Sequence, residues 1–238
     1  LSKTTNIAED AFLNCNQDLI IYGYENSSIQ IYANYHYINF KLPQMLIFDE
    51  NGGICDTKVK SVIFGEKYGT LPFPKRDGYI FAGWLTKIDG DMFDWNYYKD
   101  NNSDLKSIVS NNEIEYYKHW VTKGISEKRN WSNVQVNKDC IANENDGKNV
   151  TLYAYWVKKP VVTFLDSDKT IIDEQVIGFG GDAKEPQPPN KEGYTFLGWS
   201  NNFKQVFSDV ETIAQYEPKT FSVKFKDFDG TVLKNENV

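Results

Sequence analysis

The sequence predicts a mainly β chain assembled from small tandem repeats. Three observations carry that reading: a seven-residue phrase that recurs, strand-like alternation around each copy, and an aromatic share of 15%. Aromatic and β-branched side chains suit the half-buried surface of a sheet better than they suit long helices. Apolar residues make up 40% of the 238 and charged residues 25%, which is enough apolar material for packed cores.

The first element is the strand-like pair MLIFDENGG and VKSVIFGEKYG, followed by the proline turn TLPFPKRD and the phrase GYIFAGW from Gly78 to Trp84. The pattern returns as VVTFLDSDK, DEQVIGFGG, KEPQPPNKE and GYTFLGW from Gly193 to Trp199. NVTLYAYW (Asn149–Trp156) closes the first copy, and VETIAQY (Val210–Tyr216) closes the second. A third copy opens with FSVKFKDFDGTVLKNENV, which repeats VVTFLDSDKTIIDEQV. Phe164 and Phe225 are 61 positions apart, so the unit is about 60 residues long. A chain that ends within a copy is expected to be a piece of a longer protein.

Alternation places Phe221, Val223 and Phe225 on one strand face. In the recurrent phrase it places Tyr79, Phe81 and Gly83 on one face, with Ile80, Ala82 and Trp84 opposite. Asp229-Gly230 suits a tight hairpin turn, because glycine reaches positive φ freely. Repeats of this size bury little surface on their own and gain by stacking.

The first copy holds about 55 additional residues between Leu85 and Val150, assigned to about residues 96–146. Leu105, Ile108 and Val109, then Ile114, Tyr117 and Val121, predict one or two amphipathic helical turns. Trp95, in FDWN, belongs either to this insertion or, by the family resemblance described below, to a repeat strand before the closing one. The insertion's other aromatics, Tyr116, Tyr117, Trp120 and Trp131, form either its own small core or a contact surface for a partner.

The phrase GYxFxGW with a closing LYAYW resembles the Listeria–Bacteroides repeat, also called the internalin B-repeat. That resemblance spans about Met45 to Tyr216 and implies small β-grasp, ubiquitin-like modules in extracellular bacterial proteins linked to adhesion. The first 40 residues, with NIAEDAFLNC and LIIYGYENSSIQIYANYHYINF, are similar to the end of a BspA-type leucine-rich repeat array. That second resemblance implies a buried ladder of Ile7, Ala11, Phe12, Cys15 and Leu19, closed by a helix over Ser28–Asn34. The expected domains are therefore a solenoid end at 1–42, a first repeat at 43–158, a second at 159–218 and an incomplete third at 219–238.

Composition narrows the function classes. A net charge of −7 opposes nucleic-acid and anionic-membrane binding, since phosphate neutralisation needs an excess of lysine and arginine. No apolar run reaches the roughly 18 residues of a membrane helix. Cys15, Cys55 and Cys140 are odd in number and lack ligand spacing, so neither a disulfide framework nor a zinc site is expected. DFDGTVL (Asp227–Leu233) matches the D-x-D-G-T phrase of haloacid-dehalogenase phosphatases, but the same slot in the previous copy reads DSDKT. It is therefore read as a repeated hairpin turn.

Asp166, Asp168, Asp227 and Asp229 lack calcium-loop spacing and are read as solvated turn carboxylates. Cys15 and His36 could pair as a nucleophile and base only on paper, and His119 has no repeated partner. Trp84 and Trp199 are expected in repeat cores. The expected function is non-catalytic, without metal or cofactor. It is an extracellular surface module contacting a host or cell-surface protein or glycan, with a passive spacer and glycan binding through the inserted aromatics as alternatives.

Overall fold

In the computed structural model, residues 6–16, 18–107, 109–143 and 149–237 are described. The chain divides into two compact units, residues 1–158 and 159–238, so segment 1–42 shares a unit with the first repeat.

The N-terminal segment pairs β1 (Ile20–Tyr22) in parallel with β2 (Asn39–Lys41), with helix α1 (Ser28–Tyr35) between them. The helix starts where expected. Ser27 caps it by accepting from Gln30 N, and Gln30 reaches back to Asn26 N–H. Ile21, Ile29 and Ala33 form a small core, with Ile7, Phe12, Leu19, Ile38 and Phe40 packed partly against it. The expected buried ladder is corrected at two rungs, because Ala11 and Cys15 are exposed. Residues 9–14 run as successive turns, with Ala11 N bonded to Ala8 O and Leu13 N to Asp10 O. That geometry sends Ala11 and Cys15 outward.

The first repeat is a five-stranded sheet. Its strands are β3 (Gln44–Asp49), β4 (Val59–Val62), β5 (Tyr79–Leu85), β6 (Gln135–Val136) and β7 (Asn149–Lys158), in the spatial order β4-β3-β7-β5-β6. β3 and β7, the first and last strands, are parallel neighbours, and the other pairs are antiparallel. Helices α2 (Trp95–Asn101) and α3 (Glu113–His119) lie in the sequence between β5 and β6.

The second repeat uses β8 (Val161–Leu165), β9 (Ile171–Val176), β10 (Tyr194–Trp199) and β11 (Val210–Pro218), in the order β10-β11-β8-β9. Its first and last strands, β8 and β11, are again parallel neighbours. β12 (Ser222–Lys226) and β13 (Val232–Asn237) form the hairpin of the third copy.

Each core is built around the repeated aromatics. Phe48 meets Trp84 at 4.9 Å between ring centroids, and Phe164 meets Trp199 at the same 4.9 Å. Strict alternation is corrected within the recurrent phrase. β5 slips one residue against β7 between Phe81 and Gly83, and β10 slips against β11 between Phe196 and Gly198. The bulge inserts a residue, so Phe81 faces Trp84 at 5.4 Å and Phe196 faces Trp199 at 5.6 Å. Gly83 and Gly198 take φ of 143° and 138°, values a side chain disfavours.

The insertion's limits are also corrected. Gly65 N bonds to Ala142 O in the first repeat as Gly180 N bonds to Val206 O in the second. Ala142 and Val206 are both buried in their cores. The stretch around Cys140–Ala142 therefore belongs to the repeat, and the added residues run from about 88 to about 137. Trp95 starts a helix where a repeat strand was one of two expectations.

Candidate partner interface

The insertion folds on two helix caps and one aromatic stack. Asp94 Oδ1 accepts from Asn96 N and Tyr97 N to start α2, and Asn112 accepts from Glu115 N to start α3. The expected turns are present, as a 3₁₀ turn at Ser103–Ser107 and as α3; Ile108 lies outside the described residues. α3 runs into one π turn, Trp120–Gly124, where Ile125 N–H donates to Trp120 O. A Cβ on Gly124 would collide with Tyr98 Oη, so glycine gives that hydroxyl room.

Trp120 stacks on Phe93 with centroids 4.3 Å apart and planes 14° apart. It also meets Trp131 at 5.0 Å, and Trp131 meets Tyr155 of β7 at 5.3 Å. The Trp131 indole donates to Ala82 O at 3.1 Å, fastening the insertion to β5.

Burial assigns three of the four candidate contact residues to a core. Tyr116 and Trp120 are each 1% exposed and Trp131 is 0% exposed, while Tyr117 is half-buried against Phe93 and Trp120. Tyr116, Trp120 and Trp131 are brought together facing inward, while Tyr117 keeps part of its ring exposed. Sequence reasoning did not single out Phe93, Tyr98 and Tyr155 as members of this stack. Their insertion or strand context gave no periodic signal that they meet.

A polar network closes the other side of the insertion. Arg129 holds Asp104 through two hydrogen bonds of 2.9 and 2.8 Å and also donates to Glu127. The Arg129 hydrogen bond holds the Asp104 carboxyl below its usual range, and that of Glu127 likewise. Tyr98 Oη bonds with His119 Nδ1 at 2.9 Å. Burial first, then the Arg129 guanidinium, holds His119 below the usual imidazole range. Burial pushes the Tyr155 phenol up to about 12.

The aspartate phrases are hairpin turns. In DSDKT, Thr170 N–H donates to Asp168 Oδ1 and Asp166 N–H to Thr170 O. In DFDGT, Thr231 N–H donates to Asp229 Oδ1 and Asp227 N–H to Thr231 O, bond for bond the same. The Asp168 and Asp229 carboxylates are engaged in shaping the turns, with their acidity raised by the backbone and threonine donors. Among the described residues no three His, Cys, Asp or Glu side chains group as a metal site. His36 rings with Tyr32 and Tyr35, while Cys15 is exposed in the preceding turn.

A family model described as the Listeria-Bacteroides repeat domain matches residues 45–107 and 161–220, just over half of the chain. The chain belongs to the Listeria-Bacteroides repeat family. Each match begins at the first strand of a sheet, Met45 in β3 and Val161 in β8. The curated proteins contain no match. The two Listeria-Bacteroides repeats differ at one edge of the sheet. In the first, β6 pairs with β5; in the second, among the described residues, β10 has no strand on its outer side. No helix of the described residues is long and apolar enough to cross a membrane.

Proposed function

We propose that this chain is a non-catalytic interaction module of an extracellular bacterial surface protein, of the adhesion or host-contact class. One observation carries the reading. The second repeat closes its sheet and core without an insertion, so the residues from about 88 to 137 serve something other than closure. They nevertheless form a packed, capped body fixed to β5 by Trp131. Ordering that many residues costs conformational entropy, which a plain spacer has no reason to bear.

Supporting features come from both repeats and the N-terminal segment. The sheet order, with parallel first and last strands at its centre, supports β-grasp modules of the internalin B type. The crossovers from β4 to β5 and from β9 to β10 carry no helix among the described residues, a departure from the ubiquitin-like form. The parallel pair β1–β2 with α1 between supports reading 1–42 as the close of a BspA-type leucine-rich array.

The deciding experiment measures attachment of the full chain to host-cell surfaces and to a panel of extracellular proteins. A version lacking residues 88–137 runs beside it. Binding by the full chain that drops at least about tenfold on deletion is expected. Absence of binding by the full chain would sink the reading. A passive spacer is the second reading, favoured by the short joint Lys159-Pro160 between β7 and β8. Exchange of one repeat for the other would then leave attachment unchanged.

A further inference from the structure

The first repeat shows what the outer edge of this sheet can hold. On β5, Trp84 pairs with Val136 and Leu85 with Gln135, and Thr86 N–H donates onward to Val134 O. Four residues before Gln135, Trp131 sits against the bulge. A Cβ on Gly83 would come within 3.9 Å of its indole and 3.7 Å of the Gln135 amide. The indole N–H takes the Ala82 carbonyl, and Ala82 is 7% exposed as a result.

The second repeat has the same bulge, uncovered, with Trp199 at the pairing position of Trp84. Gly198 repeats the bulge and the φ of Gly83, yet its Cβ position has nothing within 4 Å. Leu197, in the place of Ala82, is 58% exposed, and Tyr194, three positions earlier, is 45% exposed. Trp199 is half-buried where Trp84 is 2% exposed. The far end of the strand is turned inward, since Asn201 N–H donates to Thr212 Oγ1. The open edge therefore spans Thr195 to Trp199. An edge with unpaired backbone groups and an apolar residue such as Leu197 is a template for strand addition.

We propose that the outer edge of β10 is a strand-addition site for an extended, uncharged peptide segment of a partner protein. That segment carries an aromatic residue about four positions before its paired residues. The first repeat supplies the recognition chemistry: ladder hydrogen bonds along the strand, an aromatic ring laid on the side-chain-free bulge, and its donor on the carbonyl before that glycine. Gly198 leaves the flat surface on which such a ring lies, and Leu197 O is the matching acceptor. The proposal deepens the interaction-module reading and rests on it.

The test titrates a peptide with the sequence of residues 130–137, which includes Trp131, Gln135 and Val136, into isotope-labelled full chain followed by NMR. Amide shifts and slowed hydrogen exchange confined to Thr195–Trp199 are expected at peptide concentrations up to about 1 mM. The same peptide carrying Trp131→Ala, and the full chain carrying Leu197→Asp, each weaken the interaction at least about tenfold. Leu197→Asp alters an exposed side chain, and an unchanged spectrum away from β10 verifies its fold.

Absence of shifts, shifts insensitive to both substitutions, or shifts on β5 instead of β10 would each overturn the assignment. Broadening at β10 that grows with protein concentration without peptide would mean a second copy takes the edge, and also overturns it. The interaction-module reading fails separately, in the cell-attachment assay, where no peptide is present.

Discussion

Trp84 and Trp199 occupy the same place in the repeat and meet different surroundings. Trp84 is 2% exposed and donates its indole N–H to Pro72 O, whereas Trp199 is half-buried and bonds to the Glu185 carboxylate. Trp84→Ala is expected to cost about 3–5 kcal/mol, the range for truncating a buried large aromatic, and Trp199→Ala distinctly less. Urea unfolding of the two variants checks the difference.

His119 gives a pH dependence at the same scale. Its pKa is lowered in the folded chain, so below the unfolded value of about 6.5 the unfolded state takes up the proton first. Stability is full above that value and falls as pH drops towards the folded pKa. Urea midpoints are expected to decline from pH 7 to 5.5 in the natural chain, and to decline less in His119→Gln. Loss from the depressed carboxylates of Asp104 and Glu127 begins lower, in the carboxylate range, and leaves this window to the imidazole. Residue identity was legible where it recurred: both GW tryptophans contact the repeated phenylalanines. Their faces were not, since a bulge breaks the two-residue period and only backbone pairing reveals it.

Among elements, the insertion was legible as an excess of residues and as aromatic content, while its limits and orientation were not. Its expected end near Asp146 followed composition, yet the Gly65–Ala142 hydrogen bond and the Lys67–Ile141 bridge draw that end back. A short β-bridge of that kind leaves no periodic trace in sequence. Burial of Trp120 and Trp131 follows from packing between segments, and aromatic content alone leaves both a core and a contact face open.

Two consequences belong to this scale. Gly124→Ala brings a methyl group onto Tyr98 Oη and is expected to destabilise the insertion by about 1–3 kcal/mol. Hydrogen exchange should show α2 and α3 opening more readily while β3 and β7 keep their protection. Deleting residues 88–137 should leave the remaining strands paired as in the second repeat, with the far-ultraviolet β signal retained. It should also leave the face of Ala82 and Leu85 open to hydrophobic dyes. Collapse of the β signal would mean that the insertion is needed to close the first sheet.

At the scale of the whole molecule, the repeat length and the succession of strands along the chain followed from internal comparison, because two copies reveal what is common to both. The parallel pairing of first and last strands did not, since parallel neighbours are distant in sequence. The cysteines give a whole-chain probe of folding. Cys15 is exposed, Cys140 is intermediate, and Cys55 is buried with its thiol donating to Thr57 O. A thiol reagent is expected to modify Cys15 in the folded chain at once, Cys140 more slowly and Cys55 only as the first unit opens. Rapid labelling of Cys55 in native buffer would contradict the packing of that core.

The central strand pair bears on what happens when such a chain is pulled. β3 enters the first repeat and β7 leaves it, side by side and parallel, and β8 and β11 do the same in the second. Tension drawn through the ends of either repeat drags these neighbours past one another along their length. It therefore loads the bridging hydrogen bonds together, in shear, instead of peeling them open one by one. A repeat wired in this way yields late and abruptly under load, so a tether made of such units stays short until it gives.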